Sequence, residues 1–240
     1  AKGYRISGNE KYRDTAVHAG KYFSEQFLKH GFIHRTFKND VPKLNGYLDD
    51  YAYLVNSLVD IFEITSDVYF LEIAQKITSY MIDHFWNEDE KLFFFTADTH
   101  ELLIVRPKNY YDLSVPSGNS VASNALLKLY HLTHDEKFLQ ISEKILESNG
   151  TSAAENPFAF GYLLNVMNLY LNSPTEITIV NTENSKIVNS LYKKFIPEGI
   201  IIPVNNEDNL KSLSKYPFFE GKEFSNKTNV TICKNFTCSL

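Results

Sequence analysis

The sequence predicts a mainly α fold, a partial α/α toroid of helical hairpins with a β-hairpin excursion, followed by a small α/β C-terminal subdomain. Three observations predict it. A short motif recurs at three places, helices apolar on both sides alternate with helices apolar on one, and the pattern turns to strand–helix–strand after Ser173-Pro174.

The motif runs from Tyr4 to Tyr12, from Phe62 to Phe70 and from Tyr130 to Phe138. Each copy reads aromatic, any residue, aliphatic, Ser or Thr, any residue, Asn or Asp, two residues, aromatic. A helix that ends near the Ser or Thr leaves its last carbonyls open, and the Asn or Asp caps the free N–H groups of the next helix. So short a link forces the two helices antiparallel.

Periodicity divides the helices into two kinds. From Asp67, Leu71, Ala74, Ile77, Met81 and Phe85 make one apolar face, as expected of an outer helix. Between Tyr47 and Thr65, one stripe of Leu48, Tyr51, Val55, Leu58 and Phe62 is joined by Leu54 and Ile61 on the other side, so this helix is expected to be buried on both sides. Glu10 to His30 reads as outer and closes at Gly31. Asn119 to Thr133 reads as inner. Asp135 to Ser148 reads as outer and closes near Gly150, and a further helix starts at Asn156-Pro157 and runs to about Leu171. The helical period fails between Phe85 and Ser117, where the strand-like runs Lys91–Thr96 and Glu101–Val105 predict a β-hairpin or long excursion over the end of the ring. The helix before Tyr4 is reduced to three residues and only about three hairpins follow. The chain is therefore expected to be either a fragment or a half-ring that self-associates or takes a partner chain to complete the toroid.

The boundary between residues 1–173 and 174–240 is placed where the tail begins. Strands are expected at Thr175–Val180, Gly199–Val204 and Asn229–Cys233, with a helix from Ser185 to Phe195 that makes the first two strands parallel and a helical turn from Leu210 to Ser214. No Gly-rich loop follows the first strand, so no nucleotide cofactor is expected. The seven His residues show no metal-ligand spacing, so no metal is expected.

A net charge of −5 without clustered Lys and Arg argues against nucleic acid. No apolar run is long enough to span a membrane. The polar first residues lack an apolar signal region, and with only two Cys the expected compartment is the cytoplasm. Cys233 and Cys238 have four residues between them, a spacing that a tight hairpin can bridge, although reduced structural thiols are the default.

Four stretches stand in a fixed order: Gly46 to Ala52, Phe93 to Thr96, Val105 to Lys108 and Pro116 to Ala122. With the closing Cys233 to Cys238, this set resembles the C-terminal part of the YyaL-type thioredoxin-domain-containing proteins, a family with a spermatogenesis-associated member in animals. The resemblance implies a toroid similar to six-hairpin glycosidases and to N-acylglucosamine 2-epimerases, preceded in the family by a thioredoxin-like domain. That domain and the first half of the toroid have no counterpart in these 240 residues.

The candidate chemistry lies at the starts of the inner helices. Asp49 and Asp50 open one of them. Paired carboxylates in a cleft can act as acid and base on a sugar, and acids in a first turn also simply suit the helix dipole. Ser117 and Asn119 precede the next inner helix as caps or ligand contacts. Tyr47, Tyr51, Tyr110 and Tyr111 offer stacking surfaces for a sugar ring or core packing. Arg106 and Lys108 would meet an anionic sugar or pair with Asp49, Asp50 or Asp112. The expected function is binding of, or action on, a carbohydrate-type small molecule, in a glycosidase-like or sugar-epimerase-like manner. The alternative is a non-catalytic scaffold or interaction module of a thioredoxin-domain-containing protein.

Overall fold

The computed structural model describes residues 1–39, 41–181, 185–234 and 237–239. Most of residues 1–173 is helical: α1 (Lys2–Ser7), α2 (Glu10–His30), α3 (Leu48–Thr65), α4 (Val68–Phe85), α5 (Gly118–Thr133), α6 (Glu136–Glu155) and α7 (Gly161–Asn172). The three motif copies are the turns α1–α2, α3–α4 and α5–α6. In each, the residue after the first helix is left-handed (Gly8, Ser66, His134) and its N–H closes on the carbonyl of the motif's leading aromatic. In each, the Asn or Asp caps the second helix, with Asn9, Asp67 and Asp135 accepting from Lys11, Tyr69 and Lys137 N–H. One local solution repeated three times gives three antiparallel hairpins.

The hairpins pack side by side through their inner members. α3 packs on α4 and on α5, and α5 on α6 and α7. Leu48, Ala52, Val55, Leu58, Val59 and Phe62 of α3 are fully buried; burying each large apolar side chain contributes about 1.5–3 kcal/mol. The inner helices are not apolar all round, however. α3 carries a polar stripe of Asp49, Tyr53, Asn56 and Asp60, spaced by four, three and four residues along one face. The stripe ties α3 to α5: Asn124 Nδ2 donates to Asn56 Oδ1 at 2.7 Å, and Lys128 Nζ lies 3.1 Å from Asp60 and 2.8 Å from the fully buried Glu63. Arg5 of α1 closes on the other oxygen of Glu63.

Several boundaries depart from the sequence reading. α6 runs through Gly150 to Glu155, because a glycine with a helical φ interrupts nothing when its neighbours pack, as Ala153 does. Pro157 opens a 3-10 turn (Pro157–Phe160) ahead of α7 rather than α7 itself. A hairpin of β1 (His34–Lys38) and β2 (Val41–Asn45), which no periodicity marked, follows α2. The excursion pairs different segments from those expected. β3 (Trp86–Asn87) and β4 (Leu92–Phe93) form the hairpin, and residues 101–105 form no strand. Leu102, Ile104 and Val105 lie in the open, so their apolar run finds no pleated partner.

In the tail, β5 (Thr175–Val180) and β6 (Gly199–Val204) pair parallel through α8 (Ser185–Tyr192), which is shorter than expected. α9 (Glu207–Leu213) extends the expected turn. β7 (Asn229–Lys234) runs antiparallel to β5 and carries β8 (Thr237–Ser239), giving the order β6-β5-β7-β8. One face of the sheet joins the helical core through Ile200 and Ile202, and the other packs Ile177, Ile179 and Ile201 with Val188 of α8. His131 at the end of α5 meets Glu176 of β5 at 3.1 Å. Residues 182–184 and 235–236 lie outside the described set. Cys233 and Cys238 stand opposite each other across β7 and β8 and are joined in a disulfide, which corrects the expectation of reduced thiols. Among the described residues, no helix is long and apolar enough to cross a membrane.

Candidate functional site

The start of α3 is the place where polar groups converge. Tyr47 is its N-cap, and the Tyr47 N–H donates to Asp50 Oδ2 at 2.9 Å, so Asp50 closes the first turn from inside. Arg35 of β1 reaches the same oxygen at 3.4 Å and lies over the Tyr47 ring at 5.0 Å. The β1–β2 hairpin thus brings a cation to the acidic helix start, which no sequence spacing showed. Tyr47 is stacked on Phe95 at 4.7 Å and is half-buried.

Asp49 is the exception to this pairing. It is half-buried, its neighbour Gly118 opens α5, and its Oδ1 has no hydrogen-bond partner among the described residues. Burial, then the charge of Asp50, pushes the Asp49 carboxyl above its ordinary value, against the smaller pull of Arg35 and the Gly118 amide.

Two clefts meet at this residue. The larger, of about 610 Å3, has Asp49, Asp50, Tyr53 and Asp60 of α3 on one wall and Arg35 and Phe23 among its other lining residues. The smaller, of about 310 Å3, lies under the loop before α5 and is lined by Lys108, Tyr110, Tyr111, Val115 and Ser117, with Asp49. Among the described residues, Asp49 is the one common to both. Tyr53 Oη donates to the Pro116 carbonyl at 2.9 Å and ties the two walls together.

The structure brings some predicted residues together and sets others aside. Asp49, Asp50, Lys108 and Ser117 line the clefts. Ser117 also caps α5, accepting from Ser120 N–H at 3.1 Å. Lys108 pairs with Glu90 rather than with Asp49, Asp50 or Asp112. Arg106 faces inward, donating to the carbonyls of His84 and Thr96 with its guanidinium 4.0 Å over Phe94, and lines neither cleft. Asn119 is 1% exposed and is held by Phe93 and the Asn109 carbonyl, so it pins the excursion to α5. Tyr51 is core, stacked on Tyr80 at 5.3 Å with its hydroxyl accepting from Ile33 N–H. Tyr110 and Tyr111 lie 4.4 Å apart with tilted rings beside the smaller cleft.

Sequence reasoning missed Arg35 and Tyr53, and named Asp112 only as an ion-pair partner for Arg106 or Lys108. Tyr53 was legible as the second member of the polar stripe on α3. Asp112 carries no local signal: it accepts from Ser117 N–H at 2.8 Å and from Tyr162 and Leu163 N–H at 2.8 and 3.0 Å, fixing the loop before α5 to the start of α7.

No protein-family model matches the chain. Comparison with curated proteins is more informative. Human spermatogenesis-associated protein 20 is 22% identical over 211 residues, covering 85% of this chain and 27% of that protein. This chain is similar to spermatogenesis-associated protein 20. Its rat counterpart is 23% identical over 251 residues, covering 98% of this chain and 32% of that protein. An uncharacterized protein of Caenorhabditis elegans is 21% identical over 249 residues, covering 99% and 34%. The chain thus spans about a third of the length of the curated relatives it matches. Among solved structures, a GH76 α-mannanase of Bacteroides thetaiotaomicron superposes with a TM-score of 0.50 at 16% identity, covering 90% of this chain and 64% of the mannanase. The fold is therefore mainly α, in keeping with an α/α toroid.

Proposed function

We propose that the start of α3 binds, and within a complete toroid acts on, a carbohydrate-type small molecule, with Asp49 as proton donor and Asp50 as the neighbouring carboxylate beside it. One observation carries this reading. Asp49 is a half-buried carboxylate that lines both clefts, its Oδ1 is buried against Gly118 without a hydrogen-bond partner among the described residues, and its raised pKa suits a general acid. Asp50 is held in place by the Tyr47 N–H and Arg35, and Tyr47 supplies an aromatic surface beside it. The glycosidase-like fold supports the substrate class by analogy alone. Assignment to the YyaL-type thioredoxin-domain-containing proteins, with a role in carbohydrate metabolism, belongs to the same proposal.

The test is Asp49→Asn in a thermal-shift panel of mannose, glucose, N-acetylglucosamine and short α-mannosides. A carboxyl whose pKa rises on folding weakens the fold as pH climbs past its unfolded value, near 3.8, and the penalty is complete above the folded value. The variant removes that penalty. Its Tm is expected to equal or exceed wild type at pH 7 and to match it at pH 3, while the shift given by the best sugar disappears. A sugar response unchanged by the substitution would overturn the reading.

The scaffold alternative draws on Leu102, Ile104, Val105 and Leu113, which stand exposed on the excursion. It includes self-association or a partner chain that completes the ring. Silence from every sugar, together with a light-scattering mass above 27.6 kDa, would favour it.

The cytoplasmic compartment expected from the sequence is also part of the proposal. The Cys233–Cys238 disulfide opposes it, since such bonds persist in oxidising compartments. Trapping thiols with an alkylating agent at the moment of lysis decides: two alkylated cysteines are expected in the cytoplasm, and none would place the chain elsewhere.

A further inference from the structure

We propose that the ligand is a linear oligomer of sugar rings laid across Asp49, one part in each cleft, rather than a single ring. This rests on the assignment of the α3 start as the carbohydrate site. Asp49 forms the wall shared by a cleft of about 610 Å3 and one of about 310 Å3. Each lies within the roughly 300–1,000 Å3 range of small-ligand pockets. A single ring would occupy one and leave the other without purpose.

The two clefts differ in a way that suits an extended ligand. The larger carries the acids and Arg35, groups that hydrogen-bond hydroxyls beside the reacting position. The smaller carries Tyr110 and Tyr111 with Lys108 and Ser117, a stacking surface with a few polar groups to orient a ring further along. The Tyr53–Pro116 bond and the three N–H groups held by Asp112 fix the loop before α5 to α3 and α7, so the spacing between clefts is set before a ligand arrives. A linkage lying over the shared wall would have the Asp49 carboxyl beside its bridging oxygen.

Isothermal titration with mannose, mannobiose, mannotriose and mannotetraose tests this, using wild type and Val115→Trp. Val115 is 62% exposed on the rim of the smaller cleft and belongs to the loop before α5, so the variant fills that cleft without changing a residue of α3. Affinity is expected to rise at least roughly tenfold from mannose to mannotriose and then level off. Val115→Trp is expected to return the longer sugars to the affinity of mannose. Leu113→Trp, 83% exposed on the same rim, serves as the second variant if the first lowers Tm. Affinity independent of length, or length dependence that survives both variants, overturns the two-cleft proposal and leaves the site assignment standing. No binding by any of the sugars overturns both.

Discussion

Lys128→Met is expected to destabilise the fold by about 3–5 kcal/mol, the range for removing one partner of a buried ion pair. Lys128 lies between Asp60 and the fully buried Glu63, and only the Arg5–Glu63 ion pair is left among the direct side-chain pairs described for these two acids once it is gone. Burial pushes the Asp60 carboxyl up, but Lys128 and then Arg5 outweigh it and hold the group below its ordinary value. For Lys128, burial pulls the other way and is outweighed by Glu63 and Asp60, so its pKa is raised. The signs set the pH window. A depressed carboxyl stabilises the fold above its unfolded pKa of 3.8 and loses that effect as pH falls through the lower folded value. A raised lysine stabilises below its unfolded pKa of 10.5 and loses that effect only above it. The difference between wild type and variant should be full between about pH 4 and pH 10.5 and narrow in acid. Urea unfolding at pH 7 and pH 3 measures it. A loss below 1 kcal/mol at pH 7 would show that water reaches the cluster and screens it.

Gly118→Ala is expected to disable the candidate site and weaken the fold together. A methyl at this position would overlap Asp49 Oδ1 and come within 2.9 Å of Leu48 Cγ. Leu48 is fully buried and cannot yield, so the carboxylate must move out of the wall between the clefts. Overpacking of this kind costs about 1–3 kcal/mol, partly offset by the better helix propensity of alanine. Sugar affinity should fall at least roughly tenfold. Gly150→Ala is the matched control. A methyl there meets nothing within 4 Å, and the substitution should stabilise α6 by about 0.5–1 kcal/mol without touching the site. If Gly118→Ala behaves like Gly150→Ala in both measurements, the close approach of α5 to Asp49 has no bearing on binding.

Much of this architecture is legible in local chemistry. The three motif copies predicted three turns because a left-handed residue after one helix and an Asn or Asp cap on the next satisfy backbone groups within a few residues. No distant partner is needed. The same holds for β5, β6 and β7, whose apolar runs are short and bounded by turn residues. Asp49 and Asp50 were visible as a pair for the same reason, since a helix start can be read from its cap.

Local chemistry was silent wherever a residue's role depends on what folds against it. Asn119 reads as a cap, yet its partners Phe93 and Asn109 lie 26 and 10 residues away and make it a brace. Arg106 reads as an anion contact, yet the backbone carbonyls of His84 and Thr96 take its guanidinium. Residues 101–105 read as a strand, yet a strand exists only where another backbone offers its hydrogen bonds. By itself the sequence determined the three hairpin turns, the apolar faces that α3 and α4 bury, and that two carboxylates open α3. Only the tertiary structure separated the two acids. It brought Arg35 to Asp50 and left Asp49 at the edge of Gly118, because electrostatic environment depends on distances between segments that no spacing along the chain encodes.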